Sequence, residues 1–347
     1  MNSSRISVIR PTFSKSYRCL PLALVCCFLA WTAWAQAQAP SSSAGQAAAF
    51  PAQGKTIKFM VPITPGGSND VMARIIAQKL TDMWSAPVVV ENRPGGNMNV
   101  GSDAVAKSPP DGYTWLLGAN NIFVFNPHLG KMPFDVFKDL TPVTQVASVP
   151  FVLVVHPSLP VKSVAELVEY AKKNPDALNY GSSGNGAPQH LAAELLSSAS
   201  GIKMAQVPYK GAVPAITDLL AGRIQVFVGA INSLLPHIKD GKLRLLATAG
   251  PKRLSTFPEV PTIAETVPGV VMDVWLGVFM PAGTPRPIIT KAQADIARVL
   301  QMPDVIQNLS MQGIEGVSSS PETLSGMIRD DYARWGKIIR DANIKAD

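Results

Sequence analysis

The chain has 347 residues and a formal net charge of +7, from 31 basic and 24 acidic side chains. The sequence has no basic run and no interleaving of basic with aromatic residues, so it lacks the features that indicate a nucleic-acid partner. All three cysteines lie within the first 27 residues, so the rest of the chain has no thiol for a disulfide, a nucleophile or a metal site.

The N-terminus has the three parts of a secretory signal peptide. Residues 1–18 hold four basic side chains and no acid, residues 19–34 are an apolar run, and Ala35-Gln36-Ala37 places small residues at the −3 and −1 positions of a cleavage site. The apolar run is short for a membrane-spanning helix, which needs ~20 residues. Residues 1–37 are therefore predicted to be a cleaved signal peptide that directs export of the protein, with cleavage after Ala39 as the alternative.

The segment after the signal is small, polar and rich in Ala and Ser, which predicts a disordered spacer over residues 38–53. Loss of the four basic residues of the signal leaves 27 basic and 24 acidic side chains, a net charge of +3. A slightly basic protein is compatible with an anionic ligand and does not require one. About 295 residues follow the spacer, which is enough for two lobes of ordinary domain size.

Strands and helices alternate after the spacer. Apolar residues at period two predict a strand over 57–63, and apolar residues at helical spacing predict a helix over 71–83. Further strands are predicted at 88–90 and 113–117, with a short helix at 100–106 between them. This alternation predicts an α/β fold of mixed, mainly parallel sheets flanked by helices.

The same pattern continues through the middle of the chain and into its C-terminal part. Ser163 and Glu166 have the spacing of a helix capping box. The apolar segment 275–280 is predicted to return the chain to the first lobe. The predicted strands are 151–155, 179–181, 224–228 and 243–248, and the predicted helices are 163–173, 191–198, 214–220, 232–241, 287–301, 303–312 and 321–342.

Two glycine-rich loops, Pro65–Asp70 and Gly181–Gly186, each lie between a predicted strand and a predicted helix. A helix N-terminus presents unpaired N–H groups and the positive end of the helix dipole, and glycine lets a ligand approach that backbone closely. We therefore expect the two loops to grip one small anion between two lobes, although many such loops bind nothing. The candidate ligand-binding residues are Thr64, Gly66, Gly67, Ser68, Asn69, Asp70, Asn120, Ser182, Ser183, Gly184, Asn185, Gly186 and Tyr209. Asn121 and Asn232 are further rim candidates, and local capping is the alternative for both.

Motifs of enzymes are incomplete in this sequence. The segment Gly181–Asn185 lacks the last glycine of a serine-hydrolase elbow, and Gly184–Gln189 lacks the last glycine of a dinucleotide fingerprint. The four histidines are widely spread, without the spacing of a zinc site. No catalytic residue, metal or cofactor is therefore expected. A secreted hydrolase that uses Ser183 and His190 is the enzyme alternative.

Several short motifs occur in a distinctive order over about residues 55–339, and together they resemble the Bug-type receptors, the extracytoplasmic substrate-binding proteins of tripartite tricarboxylate transporters. Each motif is weak alone, but their order and spacing are specific. They are Pro65-Gly66-Gly67, Val90-Glu91-Asn92-Arg93-Pro94-Gly95-Gly96, Pro110-Asp111-Gly112-Tyr113-Thr114, Tyr180-Gly181-Ser182-Ser183-Gly184-Asn185-Gly186, Val207-Pro208-Tyr209-Lys210-Gly211-Ala212 and Pro281-Ala282-Gly283-Thr284-Pro285.

The resemblance implies a two-lobe periplasmic-binding-protein fold with a ligand cleft between the lobes. The expected boundaries are 54–149 for the first part of lobe 1, 150–274 for lobe 2, and 275–347 for the return to lobe 1 and the C-terminal helices. The resemblance also implies a monomeric periplasmic receptor that captures a small organic anion of the carboxylate class and delivers it to membrane subunits of a transporter. A receptor for a membrane sensor kinase is the alternative. Asn97-Met98-Asn99 departs from the family pattern, because a Gly/Ala-rich turn is common there.

Overall fold

The structure is a computed structural model that describes residues 50–341 and 344–345. The predicted signal peptide and residues 38–49 of the predicted spacer lie outside this part of the chain. Phe50, Pro51 and Ala52 are partly buried against the fold rather than part of a disordered spacer, whereas Gln53 is exposed. The Phe50 ring lies 6.1 Å from the Trp84 ring and 5.2 Å from the Tyr113 ring, and the Ala52 N–H donates to the Tyr113 hydroxyl at 2.8 Å. The aromatic contacts of Phe50 therefore correct the C-terminal end of the predicted spacer.

Helices and strands alternate through the first part of the described chain, as predicted. These elements are β1 (Ile57–Val61), α1 (Ser68–Trp84), β2 (Val88–Asn92), α2 (Asn99–Ala106), β3 (Thr114–Ala119), a π-helical segment (Asn121–Phe125) and α3 (Asn126–Leu129). A long strand, β4 (Leu140–Val155), then leads into the second part, which contains α4 (Val164–Lys173), β5 (Asn179–Ser182), α5 (Pro188–Ser200), β6 (Ala205–Pro208), α6 (Ala212–Leu220), β7 (Val226–Ala230), α7 (Ile231–Lys239) and β8 (Arg244–Thr248). The C-terminal part contains α8 (Ile263–Thr266), β9 (Asp273–Pro281), α9 (Arg286–Leu300), α10 (Pro303–Met311), β10 (Glu315–Gly316) and α11 (Pro321–Asp341).

A first sheet has the strand order β2-β1-β3-β9-β4. Strand β1 pairs in parallel with β2 and β3, and Val61 at the end of β1 is in register with Asn92 at the end of β2. The loops that follow these two strands therefore leave the sheet at the same edge. In open α/β sheets ligands bind outside this carboxyl edge of parallel strands.

A second sheet repeats this arrangement around β5, which pairs in parallel with β6 and β7. Ser182 at the end of β5 is in register with Pro208 at the end of β6, so the loops after these strands also share an edge. The middle of the fold is antiparallel. Residues 140–150 of β4 pair with β9, and residues 151–155 pair with β7 and β8. Antiparallel pairing is therefore more extensive than the sequence predicted, because β4 and β9 join the two sheets.

Apolar side chains fill the interior on both sides of the two sheets. The largest buried side chains near the first sheet include Phe59, Trp115 and Trp275, none of them more than 2% exposed. A smaller cluster packs α6 and α7 against the second sheet around Ile216 and Phe227. The helices rest on these cores through apolar faces, so the strand ends and the helix starts are held in fixed positions. None of the described helices is long and apolar enough to cross a membrane.

Candidate functional site

A cavity of about 650 Å³ lies at the carboxyl edges of the parallel strands of both sheets. The segments that follow β1 and β2 line it from the first sheet, and the segments that follow β5, β6 and β7 line it from the second. Strands β4 and β9, which join the sheets, supply further lining residues. Parallel pairing within each sheet thus brings together loops that are far apart in sequence.

Four helices begin at the cavity, namely α1, α5, α6 and α7. Their N-cap residues, Gly67, Ala187, Gly211 and Ala230, provide no side-chain cap. These two helices were predicted to begin at residues 71 and 232, but α1 and α7 already begin at Ser68 and Ile231, so the polar residues Ser68 and Asn232 lie within the first turns and do not cap them. First-turn N–H groups that lack a cap, together with the positive helix ends, favour an anion.

The first predicted loop contributes Thr64, Gly67, Ser68 and Asn69 to the cavity lining. The side-chain amide of Asn69 donates to the backbone oxygen of Leu117 at 3.3 Å. Asn69 is therefore anchored to strand β3, and it is buried at the base of its loop.

Asp70 and Gly66 are not among the residues that line the cavity. The Asp70 carboxylate instead accepts the Gly66 N–H at 3.0 Å, the Arg74 guanidinium at 3.0 Å and the Asn92 side-chain amide at 2.9 Å. Burial raises the pKa of the Asp70 carboxyl, but the hydrogen bonds from Arg74, Gly66 and Asn92 together leave this pKa below its ordinary value. Asp70 is thus a buried carboxylate that holds the loop in position.

The second predicted loop contributes Ser183, together with Pro188 and Gln189 at the start of α5. Ser183 Oγ donates to Gln189 Oε1 at 2.9 Å, whereas His190 Nδ1 accepts the N–H of Gly186 at 3.0 Å. Ser183 and His190 are engaged with different groups, so the arrangement does not favour the hydrolase alternative.

The other candidates of the second loop, Ser182, Gly184, Asn185 and Gly186, do not line the cavity. Ser182 is buried and its hydroxyl oxygen accepts the Gln206 side-chain amide at 2.8 Å. The Gly184 N–H also donates to this oxygen, at 3.3 Å. These contacts hold the loop against its own sheet, so its glycines shape the turn.

Tyr209 lines the cavity, but its hydroxyl donates to the Asp218 carboxylate at 2.8 Å. Burial and the hydrogen bond to Asp218 raise the pKa of Tyr209 to about 12. The residue that follows, Lys210, is the only Lys or Arg among the lining residues, and no Asp or Glu is among them. The electrostatic balance of the described lining therefore favours an anionic ligand.

The sequence analysis missed a third loop, residues 94–98, as part of the site. Pro94, Gly95, Gly96, Asn97 and Met98 all line the cavity. The four residues from Gly95 to Met98 have positive φ values of 134°, 54°, 49° and 75°. The Asn99 and Val100 N–H groups donate back to the carbonyl oxygens of Gly96 and Gly95, so this turn is closed by its own backbone and leads directly into α2. The glycine pair after the predicted strand 88–90 was the available signal in the sequence. It indicates a cavity loop only when β2 is known to pair with β1, which brings this loop beside the first one.

Asparagines behind this third loop hold its conformation. Asn97 donates to the side-chain oxygen of Asn126 at 2.7 Å, and Asn126 donates to the backbone oxygen of Asn97 at 2.8 Å. Asn121 also reaches the backbone oxygen of Asn97, at 3.4 Å. Asn120 is buried and donates to the backbone oxygen of Asp273 at 2.8 Å. Asn120 and Asn121 therefore support the site from behind and do not line the cavity.

The apolar part of the lining was also absent from the sequence-based candidates. It includes Val149 and Phe151 on β4, Val274 and Leu276 on β9, and Phe227 on β7. These residues follow ordinary strand patterns, so nothing local in the sequence distinguishes them from core residues. Within the described chain, no group of three or more His, Cys, Asp or Glu side chains is placed to hold a metal ion.

Comparison with known proteins agrees with this architecture. The model of the tripartite tricarboxylate transporter family receptor matches residues 72–344. BugT of Bordetella pertussis is 37% identical over 294 residues, which cover 84% of this chain and 90% of BugT.

Two solved structures have the same fold. Rpa4515 of R. palustris, solved with adipate, has a TM-score of 0.81 and 36% identity, with coverage of 85% of this chain and 99% of that one. MatC of Rhodopseudomonas palustris, solved with bound malate, has a TM-score of 0.77 and 28% identity, with coverage of 84% and 100%. The chain has the two-lobe α/β fold of periplasmic binding proteins, and it belongs to the tripartite tricarboxylate transporter receptor family, whose members are solute-binding proteins and not enzymes.

Proposed function

We propose that this protein is a periplasmic receptor that captures a small organic acid as its carboxylate and delivers it to the membrane subunits of a tripartite tricarboxylate transporter. The observation that carries the proposal is the electrostatics of the cavity. Four helix starts and Lys210 face a space that no Asp or Glu among the described residues lines. A carboxylate there accepts charge-assisted hydrogen bonds, which contribute roughly 1.5–3 kcal/mol each.

The related structures support the carboxylate class. Rpa4515 was solved with adipate and MatC with bound malate, and both of these ligands are dicarboxylic acids. Both proteins match this chain over nearly their whole length. The shared fold and the absence of Asp and Glu from the described residues that line the cavity are the reasons for assigning a ligand of the same chemical class.

Residues from both sheets take part in the proposed clamp. Thr64 and Ser68 belong to the first loop, Ser183 and Tyr209 to the second sheet, and the turn that ends at Met98 adds a third element. Ligand stabilises the closed form only by its greater affinity for that form, because binding shifts an existing equilibrium. The membrane subunits are proposed to recognise this closed form.

Thermal unfolding with a panel of organic acids tests the binding step. The purified protein is first unfolded and refolded to remove any ligand retained from the cell. An acid at 100 times its dissociation constant adds about 2.7 kcal/mol to the free energy of unfolding. Absence of a shift with every mono-, di- and tricarboxylate would contradict the proposed ligand class.

A matched pair of lysine variants locates the site. Lys203 precedes β6 and Lys210 follows it, so the two lie at opposite ends of one strand. Lys210→Met should weaken binding of the identified acid about two- to fivefold, the range of an exposed ion pair. Lys203→Met should leave the affinity unchanged. Equal effects of the two variants would place the anion outside this cavity.

Two further measurements test export and delivery. The intact mass of the exported protein gives the cleavage position and distinguishes Ala37 from Ala39. Uptake of the identified acid by cells should be lost when the gene for this protein is deleted. Loss of a transcriptional response with unchanged uptake would favour the sensor-kinase alternative instead.

A further inference from the structure

A left-handed backbone conformation is uncommon outside glycine, and the third cavity loop has two such residues in succession. Within the described chain, four residues other than glycine have φ values between 49° and 75°, namely Ser85, Asn97, Met98 and Asp176. Asn97 and Asp176 have short polar side chains that tolerate this conformation, and Ser85 is the C-cap of α1, where a left-handed residue commonly ends a helix. Met98 has neither reason, because a long side chain at positive φ crowds its own backbone.

Met98 lies at the proposed ligand site. It is the only methionine among the described residues that line the cavity. Met98 is half-buried, and its side chain packs against the main apolar core. Ser85 and Asp176, by contrast, are exposed and do not line the cavity. The long side chain on an unfavourable backbone is therefore found where a ligand would meet it.

A set of amide hydrogen bonds holds the backbone before Met98. Asn97 Nδ2 donates to Asn126 Oδ1 at 2.7 Å, and Asn126 Nδ2 donates to the backbone oxygen of Asn97 at 2.8 Å. Asn121 Nδ2 reaches Asn97 Oδ1 at 3.3 Å. Asn121 is fully buried and Asn126 is 5% exposed, so both amides have fixed positions.

The backbone after Met98 is held as well. The backbone oxygen of Met98 accepts the Ser102 N–H at 3.2 Å and the Ser102 hydroxyl at 2.9 Å. Surrounding contacts on both sides thus keep Met98 in its strained conformation. Strained residues that the surroundings fix in this way cluster at ligand sites, where the strain is retained for function.

From this arrangement, which rests on the proposed function, we infer that Met98 is a specificity-determining residue whose thioether side chain contacts the carbon skeleton of the bound acid. Glycine at this position relieves the backbone strain, but it leaves bare backbone like that of Gly95 and Gly96. The methionine side chain is unbranched and polarisable, so it adapts to carbon chains of different shape. Met98 therefore favours acids with a longer carbon skeleton, and Asn126 is a positioning residue that keeps Met98 in place.

Methyl NMR tests the contact directly, with methionine that carries ¹³C in its methyl group. The Met98 signal is identified by its loss in Met98→Leu, and the exposed Met311, which does not line the cavity, provides the control signal. Binding of butyrate, hexanoate, succinate or adipate should shift the Met98 signal and leave the Met311 signal in place. An unmoved Met98 signal in protein saturated with a bound carboxylate overturns the inference and leaves the proposed function standing.

Variants at position 98 test the selectivity. Butyrate and hexanoate differ by two methylene groups, and so do succinate and adipate. In calorimetric titrations Met98→Gly should lower the affinity ratio of the longer to the shorter acid at least threefold in each pair that binds, because apolar contact is lost. Met98→Leu conserves volume and should keep this ratio within twofold of wild type. An unchanged ratio in a folded Met98→Gly protein overturns the inference.

A second glycine variant controls for the change in backbone. Ser85→Gly relieves a left-handed residue at the end of α1 that lies away from the cavity, and it should leave the affinity ratio unchanged. An equal fall of the ratio in Ser85→Gly and Met98→Gly would show that backbone relaxation, and not contact with Met98, sets the selectivity. The NMR measurement on the wild-type protein decides if Met98→Gly does not fold.

The positioning role of Asn126 has its own test. Asn126→Ala should shift the Met98 methyl signal of the ligand-free protein and lower the affinity ratio in the same direction as Met98→Gly. The exposed Asn308 of α10 is the control, and Asn308→Ala should change neither quantity. An unmoved Met98 signal in Asn126→Ala would show that this amide does not position Met98.

The remaining outcomes separate this inference from the proposed function. If neither pair of acids binds but another carboxylate of the thermal panel does, the NMR measurement with that carboxylate decides. Failure of every carboxylate in the panel contradicts the proposed function, and the role of Met98 falls with it.

Discussion

The hydroxyl of Ser68 donates to the side-chain oxygen of Asn232 at 2.8 Å, although the two residues are 164 positions apart. Ser68 is the first residue of α1, on the first sheet, and Asn232 lies in the first turn of α7, on the second. Ser68 also lines the cavity. This hydrogen bond therefore joins the two sides of the site directly and exists only when the two sides are close together.

Ser68→Ala should lower the free energy of unfolding by about 0.5–1.5 kcal/mol, the usual contribution of one hydrogen bond. The variant should also weaken ligand binding by up to about tenfold, because the ligand must then hold the closed form alone. Chemical unfolding and calorimetry measure the two effects. The matched double-mutant cycle uses Asn232→Ala and the combination of both changes. Fully additive losses would show that the two side chains do not interact in solution.

Gly101 and Gly326 form a contrasting pair, because each lies within a helix. A Cβ at Gly101 would lie 2.8 Å from the backbone oxygen of Arg93 and 2.9 Å from Cβ of Pro62, whereas a Cβ at Gly326 meets nothing within 4 Å. We expect Gly101→Ala to destabilise the protein by about 1–3 kcal/mol through overpacking. Gly326→Ala should instead stabilise it by about 0.5–1 kcal/mol through helix propensity.

Urea unfolding of both glycine variants measures whether each substitution lowers or raises the free energy of unfolding. Pro62 and Arg93 lie at the roots of the first and third cavity loops, so Gly101→Ala should also weaken ligand binding, and Gly326→Ala should not. Stabilisation by both substitutions would show that α2 shifts freely, and it would contradict the tight packing of α2 against these loops.

The pH dependence of stability should depend on Asp70. Its hydrogen bonds with Arg74, Gly66 and Asn92 leave its folded-state pKa below the ordinary value of 3.8. The ionised carboxylate therefore stabilises the fold above pH 3.8, and this stabilisation is lost as the pH falls from 3.8 through the lower folded-state pKa. Asp70→Asn should cost about 1.5–3 kcal/mol at pH 7 and flatten the acid limb of the stability profile.

The exposed carboxyl of Asp82, on the same helix, provides the control for this experiment. Asp82→Asn should change stability by less than about 0.5 kcal/mol at every pH. An acid limb that is equally steep in wild type and Asp70→Asn would show that other carboxyls cause the acid sensitivity.

Removal of the Tyr209 hydroxyl distinguishes positioning from direct ligand contact. Because this hydroxyl donates to Asp218, Tyr209→Phe should cost about 1 kcal/mol of stability and leave ligand affinity within about threefold of wild type. Unfolding in urea and calorimetric titration check the two parts. A large loss of affinity with unchanged stability would mean that the hydroxyl turns towards the ligand.

Much of the fold was predictable because local patterns and tertiary contacts agree along most of the chain. Strands such as β1 and helices such as α4 have the expected hydrophobic period, and Ser163 caps α4 by accepting the Glu166 N–H at 3.1 Å. The start of α1 was predicted three residues too late and the start of α7 one residue too late, because polar residues there resemble caps that the helices do not use. The extent of antiparallel pairing around β4 was underestimated, because the sequence of one strand does not identify the strand that pairs with it.

The candidate site was predicted in outline and differs in its members. Thr64, Ser68 and Ser183 line the cavity, while Asp70 and Ser182 are buried supports of their loops. A glycine-rich loop indicates where backbone approaches a ligand, but it does not reveal which way each side chain points. That direction depends on partners such as Arg74 and Gln206, which lie outside the motifs.

The sequence by itself determined the order of most strands and helices, the two glycine-rich loops at strand ends, and the family resemblance, because periodicity, helix breakers and short motifs are local properties. Only the tertiary structure decided which strand ends are neighbours, and hence that the turn at Asn97 lines the cavity together with Phe151 and Val274. The physical reason is that strand pairing connects residues 71 to 141 positions apart, from Val155 with Val226 to Leu140 with Pro281. A cavity is formed by those long-range neighbours, so its shape and polarity are properties of the packed fold.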